Sequence, residues 1–477
     1  MGVTREIVRF VGATSYEDLP PDAVAATKLA ILNILGTSVA GARTRIGALH
    51  IDLATDMGGG KDHATILGDG GRVSMPAAAY ANGNLAFALD WEDTLSYITH
   101  PGFITVSCGL AVGEHLGSSG RDFLLAVALG YEVLGRMGPA MQPTPERGQQ
   151  VFGEQYHPFA GAVTAGKLLD LDDEQMDAAF GIAGTYAPVP SAHKYFGVVA
   201  ETRPMREVKL GWGWMCMAGT LAALSASRGF GGGHGILDGD RGFHVMAGSD
   251  RCDVDRMTAD LGSRWLVTDV EPKTYPAIAR NTPPHLATRA LVAEHGFRPD
   301  EVERVTVRGM QMSAVADFAP ATAVDAQFSL PHAIATALLQ ESPGPDMFSH
   351  ERLFDPEIRR LLERVQLEHD TDADALYFNE QRLLYSVEIE LADGRRLSRE
   401  IEFPRDRPPT GWSEICTKFQ TLCDGVLTST QIDRAIELVD GLDRLDNLDD
   451  LIATLVPGNA TQPTASRCDP VRPVHPA

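Results

Sequence analysis

From about residue 20 to residue 265, apolar side chains return at helical spacing and are interleaved with alanine and glycine. Val24, the stem of Lys28, Ile31, Leu35 and Val39 share one face of such a helix, and Gly36 and Gly41 allow a second helix to approach closely. Further helices are expected at 76–90, 101–116, 121–139, 158–169, 173–186 and 211–228, the one from 173 opening on Asp172 and Asp173 as the helix dipole prefers. No heptad persists, so the small residues predict tightly packed helix pairs rather than a supercoil.

The texture changes after about 265. Val302–Val307 alternates like a strand. Tyr385–Leu391, Asp393-Gly394 and Leu397–Phe403 predict a hairpin on a type I′ turn, which needs positive φ at both central residues. Helices near 284–295, 330–340 and 355–363 lie between these strands, and helices resume from Ser413 to about 455. The expected fold is mainly α: a large all-helical domain (1–265 and 410–456) with a smaller α+β domain (266–409) inserted before the C-terminal helices. Residues 457–477, rich in Pro, Thr and Ser, are expected to form a disordered tail. A length of 477 residues suits two domains, and small-molecule sites favour the cleft between domains.

Composition removes several classes of function. An apolar content of 44% and a charged content of 22% are those of an ordinary globular chain. The net charge of −23, with no basic stripe, argues against nucleic acid as a partner. It also means that an anionic substrate needs a local cluster of Lys, Arg and His. Six scattered cysteines lack both zinc spacing and disulfide density. With no apolar leader and no long uninterrupted apolar window, a cytoplasmic protein that does not engage membranes is expected.

The chemistry-bearing residues concentrate in Leu89-Asp90-Trp91-Glu92-Asp93-Thr94, followed by His100-Pro101. Proline at the first helical position places His100 at a helix mouth, where backbone N–H groups favour an anion and a neutral imidazole. Tyr156-His157-Pro158 repeats the pattern, so two imidazoles are poised to converge on one acidic ligand. Taken alone, His100 reads as a helix cap. Asp90 and Thr94, at i and i+4 on a helix reaching Thr94, shift that reading toward a site. Asp90, Glu92 and Asp93 also admit a solvated loop or a Mg²⁺ site, though no second acidic cluster accompanies them. Lys273, between Pro272 and Pro276, is either a fixed carboxylate contact or a linker lysine, with Arg280 and His285 downstream. Lys209 precedes a helix of small residues and is a second candidate clamp. The run Gly229–Gly235 follows a helix instead of opening one after a strand, which makes it a helix stop and not a phosphate loop.

Several segments in order (LDWEDT…THPG, GRDFLLAVALGYEVLGRMG, YHPFAGAVTAGKLLDLDDEQMDAAFGIAGT, GTLAALSASRGFGGGHGILDGDRGF, KTYPAIARNTPPH, AQFSLPHAIATALL and KFQTL) resemble the MmgE/PrpD family over most of residues 5–455. The resemblance implies a helical domain with an α+β lid, a homodimer, and no metal or organic cofactor. It maps the family's Asp-x-x-x-Thr and His-Pro site onto Asp90, Thr94 and His100, its second imidazole onto His157 and its lid lysine onto Lys273. A second family lysine falls on Val208, so Lys209 replaces it only if the loop shifts. Ile278 stands near a lid histidine of decarboxylating members, and His332 stands where a tyrosine is often seen.

The expected activity is a cofactor-independent lyase, a dehydratase or decarboxylase, acting on a small polycarboxylate or related activated acid. His100 would be the general acid/base, Asp90 would orient it, and Thr94 would hydrogen-bond the substrate. His157, Lys273 and Lys209 would hold carboxylates, with Arg280 and His332 as further contacts. Two other readings remain open: an epimerase working by proton removal and return, and a catalytically idle member serving as a binding protein.

Overall fold

A computed structural model describes residues 2–458 apart from 59, 149, 152–154, 190–198, 206 and 209. Most of the expected tail and Lys209 therefore lie outside the described residues. Helices of nine residues or more run, in chain order, as α1 (Val3–Ala13), α2 (Pro21–Gly41), α3 (Arg45–Gly58), α4 (Met75–Phe87), α5 (Pro101–Leu116), α6 (Gly120–Ala140) and α7 (His157–Leu168). They continue as α8 (Asp173–Tyr186), α9 (Trp212–Ala226), α10 (Thr282–His295), α11 (Leu330–Leu338), α12 (Thr371–Glu380), α13 (Trp412–Cys423) and α14 (Ser429–Asp440).

Local chemistry sets these ends. Ser119 and Asp122 form a capping box at α6, Asp172 and Gln175 form another at α8, and Gly117 stops α5 in the left-handed region with φ 64°. Small residues then decide the packing. A Cβ on Gly41 of α2 would overlap the Leu85 carbonyl of α4, and one on Gly219 of α9 would lie 2.8 Å from Gly161 Cα of α7. These helix pairs touch backbone to backbone. The one-faced pattern expected for α2 fails beyond Ala30: every residue from Ala30 to Gly41 is buried, because the helix runs between α4 and α13. α2 and α6 are apolar and long enough to span a membrane, yet 72% and 100% of those stretches are buried inside the protein, where they serve as core helices.

Two apolar cores are the largest among the described residues. One draws on Val3 to Val270 and on Ile415 to Leu455, and the other on Ala287 to Phe403. Beyond a short antiparallel pair in the helical unit, β1 (Ala64–Thr65) with β2 (Arg72–Val73), and the strands β3 (Asp93–Thr94) and β4 (Glu271–Pro272), the second core is built on β5 (Val302–Gly309), β6 (Val365–His369), β7 (Leu383–Leu391) and β8 (Arg396–Phe403), a four-stranded sheet of order β6-β5-β7-β8. β5 and β6 are parallel and the other pairs antiparallel, and Leu383, Tyr385, Val387, Ile389 and Leu391 turn to the core at alternate positions. α10 covers β7 and β8, and α11 packs on α10. The chain is thus mainly α with a smaller α+β unit. The hairpin forms, but not on a type I′ turn: Gly394 (φ 86°) has positive φ and Asp393 does not, and Leu391 N–H donates to the Arg395 carbonyl across a bulged loop.

A turn from the helical unit enters the second core. Ser96 and Tyr97 adopt positive φ (56° and 58°), and Tyr97 and Ile98 are buried among the residues of the sheet unit. Just before it, β3 (Asp93–Thr94) pairs antiparallel with β4 (Glu271–Pro272). A two-residue ladder and one inserted turn therefore join the units at the acidic segment. Gly41→Ala is expected to lower the stability to urea unfolding by about 1–3 kcal/mol, the usual cost of overpacking; an unchanged midpoint would contradict the backbone contact between α2 and α4.

Candidate active site

The helix expected to reach residue 90 ends at Phe87, because Asp90 takes a left-handed backbone (φ 53°). Asp90 and Thr94 therefore do not share a helix face. Freed from the helix, residues 90–94 turn three carboxylates inward, and Asp90, Glu92 and Asp93 are each no more than 1% exposed. Each meets a different partner.

Asp93 fills the mouth of α5. Its Oδ1 accepts the Gly102 N–H at 3.1 Å and its Oδ2 accepts the Tyr131 hydroxyl. The anion expected at this helix start is thus the protein's own. Burial lifts the Asp93 carboxyl to about 6, against the pull of Tyr131, with the neighbouring Glu92 adding to the rise.

Glu92 stands between a cation and an imidazole. Its Oε1 lies 2.6 Å from Lys273 Nζ and 2.9 Å from His100 Nδ1. Lys273 also pairs with Asp90 and donates its backbone N–H to the Glu92 carbonyl at 2.9 Å. Burial opposes the Lys273 charge, but the Asp90 and Glu92 carboxylates outweigh it and hold its pKa above the usual value. Glu92 touches His100 Nδ1, and Lys273, expected as a substrate clamp, is held in a buried ion triad with Asp90 and Glu92.

His100 Nδ1 lies 2.8 Å from the Asp93 carbonyl oxygen, a pure acceptor. That contact and Glu92 together put the proton on Nδ1, leaving Nε2 as the basic nitrogen of the neutral ring. His157, at the start of α7, accepts the His100 backbone N–H through its Nε2 at 3.3 Å and is fully buried. The two His-Pro helix starts do meet, with the second imidazole supporting the backbone of the first.

His100 and Asp90 line a cavity of about 60 Å³ between the two units. Phe87, Trp212, Ile278 and Phe328 give it apolar walls, and Tyr97 and Tyr377 close another side. Arg280 faces it from a 3₁₀ turn at Ala279–Asn281, with Nη1 on Gln311 Oε1 at 2.8 Å. Two expected contacts lie elsewhere. Thr94 is buried in β3 and donates its hydroxyl to the Thr99 carbonyl at 3.1 Å, so it ties the turn that enters the second core. His332 is enclosed in α11 with its ring 5.6 Å from that of Phe348, and burial drives its pKa down to about 3. A helix buried on every side leaves its ring no route to the cavity.

Lys418 of α13 escaped the sequence analysis. Its Nζ donates to the Trp91 carbonyl at 2.5 Å, to Asn33 Oδ1 at 2.7 Å and to the Lys273 carbonyl at 2.9 Å. Burial brings this ammonium down to about 7 despite the nearby Glu92 and Asp93 carboxylates, and the Lys273 charge acts in the same direction as burial. No local pattern marks it beyond the segment KFQTL.

Comparison with known proteins follows the same two units. The sequence pattern of the MmgE/PrpD N-terminal domain matches residues 5–253, and that of the C-terminal domain matches residues 275–444. The chain is 25% identical to a cis-aconitate decarboxylase of Aspergillus terreus, across 95% of this chain and 96% of that protein. It is 26% identical to cis-aconitate decarboxylase of Mus musculus (83% and 81% covered) and 25% identical to that of Homo sapiens (83% and 82%).

Asp93 yields a prediction with a definite sign. The unfolded chain releases this proton near 3.8 and the folded protein near 6. Between those values the folded state binds more protons, so stability falls as pH rises through 6. Relative to Asp93→Asn, the wild-type protein is expected to lose on the order of 3 kcal/mol between pH ~4 and ~7. Parallel pH curves for the two proteins in urea unfolding would refute this assignment.

Proposed function

Because the chain belongs to the MmgE/PrpD family, we propose that it is a lyase, needing no metal or organic cofactor, that dehydrates or decarboxylates an acid with His100 as the proton-transfer group. The observation that carries this reading is the contact of His100 Nδ1 with Glu92 and the Asp93 carbonyl at the wall of a cavity faced by Arg280. Relatives named as decarboxylases support the same class of reaction.

With Nδ1–H held, Nε2 takes a proton from a C–H beside the substrate carboxylate, and Glu92 stabilises the imidazolium that results. In a dehydration that proton goes to the departing hydroxyl, which leaves as water while an alkene forms. In a decarboxylation no C–H proton is taken: His100 starts as the imidazolium, the carbon–carboxyl bond breaks, CO₂ leaves with the electrons remaining on carbon, Nε2 gives its proton to that carbanion, and solvent reprotonates the ring. Arg280 supplies the guanidinium for a carboxylate, in a site whose apolar walls strengthen that pairing by excluding water. Those walls suit an acid with a hydrocarbon portion. Lys273 and Asp90 hold Glu92 in place, His157 supports the loop, and the α+β unit acts as the lid. The working form in this reading is a cytoplasmic homodimer.

The test is incubation with citrate-like, aconitate-like, alkyl-substituted and amino-dicarboxylate acids in D₂O, followed by NMR. A new alkene or lost CO₂ is expected; deuterium gained at one carbon with composition unchanged would instead make the protein an epimerase. Turnover should survive EDTA, and loss restored by Mg²⁺ would return the acidic segment to a metal reading. On the acid so identified, His100→Gln should lower kcat about 10²–10⁴-fold. Arg280→Met should mainly raise KM if its contact is equal in ground and transition states. Near wild-type kcat in His100→Gln would remove the proposed mechanism.

A further inference from the structure

We propose that Lys418 is a positioning residue whose charge, acting through Glu92, sets the proton affinity of His100; this rests on the reading of His100 as the proton-transfer group. A lysine ammonium carries three N–H donors and no acceptor. Here all three acceptors are identified: the Trp91 carbonyl, the Lys273 carbonyl and Asn33 Oδ1. The first two bracket Glu92. Trp91 is the residue before it, and Lys273 donates its own N–H to the Glu92 carbonyl. Lys418 thus fixes the peptide on which Glu92 stands from a helix 327 positions downstream of Trp91.

Its charge matters because of the count around it. Asp90 and Glu92 are balanced by Lys273 and Lys418. Asp93 is held toward its protonated form and shares Tyr131. With both lysines charged, the cluster is neutral below the Asp93 pKa of about 6 and carries one negative charge above it, which a proton added to His100 offsets. Removing the Lys418 charge makes the cluster beside His100 Nδ1 one unit more negative, which favours the imidazolium. The other groups near His100 are His157 at its backbone, Phe87 and Trp212 edge-on, and Asp90 and Arg280 at the cavity wall. Those near Lys418 are Glu92, Asp93 and Lys273, with the neutral Asn33 from α2 and the Trp91 ring 5.1 Å away.

A simple strut would account for the three hydrogen bonds but would not tie the titration of His100 to the charge at position 418. The full-length protein labelled with [¹³C-ε1]histidine should therefore be titrated by NMR, with His100 assigned from the spectrum of His100→Gln. In Lys418→Gln the His100 pKa is expected to rise by about half a unit or more, while Lys418→Arg, whose charge is fixed, shows no rise. A folded Lys418→Gln protein in which His100 titrates as in wild type would overturn the proposal. An equal shift in Lys418→Arg would do so too, by tracing the effect to packing. If Lys418→Gln does not fold, Asn33→Asp, which lays a carboxylate on the same ammonium, should raise the His100 pKa, and no rise would be refuting. Should His100→Gln keep full turnover, the mechanistic reading fails while the titration still decides the coupling.

Discussion

A carboxylate without access to water cannot stay charged unless cations and donors replace the solvent it has lost, and the desolvation cost is several kcal/mol per ion. Glu92 is fully buried, with Lys273 and the His100 ring in close ion contact with its Oε1, although neither of its carboxylate oxygens has a well-aligned hydrogen bond among the described residues. Neither partner is local to it in the helical pattern. The contact therefore fixes three things together: the tautomer of His100, the position of the segment carrying Lys273, and the path of the loop from Asp90 to Thr94. Remove Lys273 and the carboxylate loses the cation that touches it in a dry site.

The architecture can be understood as the means of supplying those partners. Helices packed through glycine and alanine bring the starts of α5 and α7 together, so that His157 can support the His100 backbone. The β3–β4 ladder lays Lys273 along the acidic segment, and the turn holding Tyr97 and Ile98 anchors that segment in the second core. The cavity is what remains between the units once these contacts are made. Its polar groups come from both sides, His100 and Asp90 from one and Arg280 from the other.

What the sequence revealed of this follows from the range of each interaction. Helices and strands with a clear period were legible, as were both His-Pro starts, because proline, caps and periodicity act within a few residues. The length of α4 was misjudged because nothing in the composition shows that Asp90 will adopt φ 53°. The same error placed Thr94 on a shared face when its hydroxyl serves the Thr99 carbonyl. Glu92 was visible only as one acid of three, since the choice among Asp90, Glu92 and Asp93 depends on which one meets His100 in space. Lys418 was illegible for the same reason. His332 carried a suggestive chemistry, but its position in a helix buried on all sides is a property of the packed lid.

The order of the charges along the chain has a consequence for synthesis. Lys273 follows Asp90 by 183 positions, and Lys418 follows Trp91 by 327. A nascent chain emerging from the ribosome exposes its acids first and meets its two compensating lysines much later, although N-terminal segments begin to fold as they appear. The early helices can therefore collapse on their alanine and glycine faces, but residues 90–94 have no stable buried position until α13 has been made. For a translating cell, the acidic loop is a part of this protein whose contacts are completed only after residue 418 has been made.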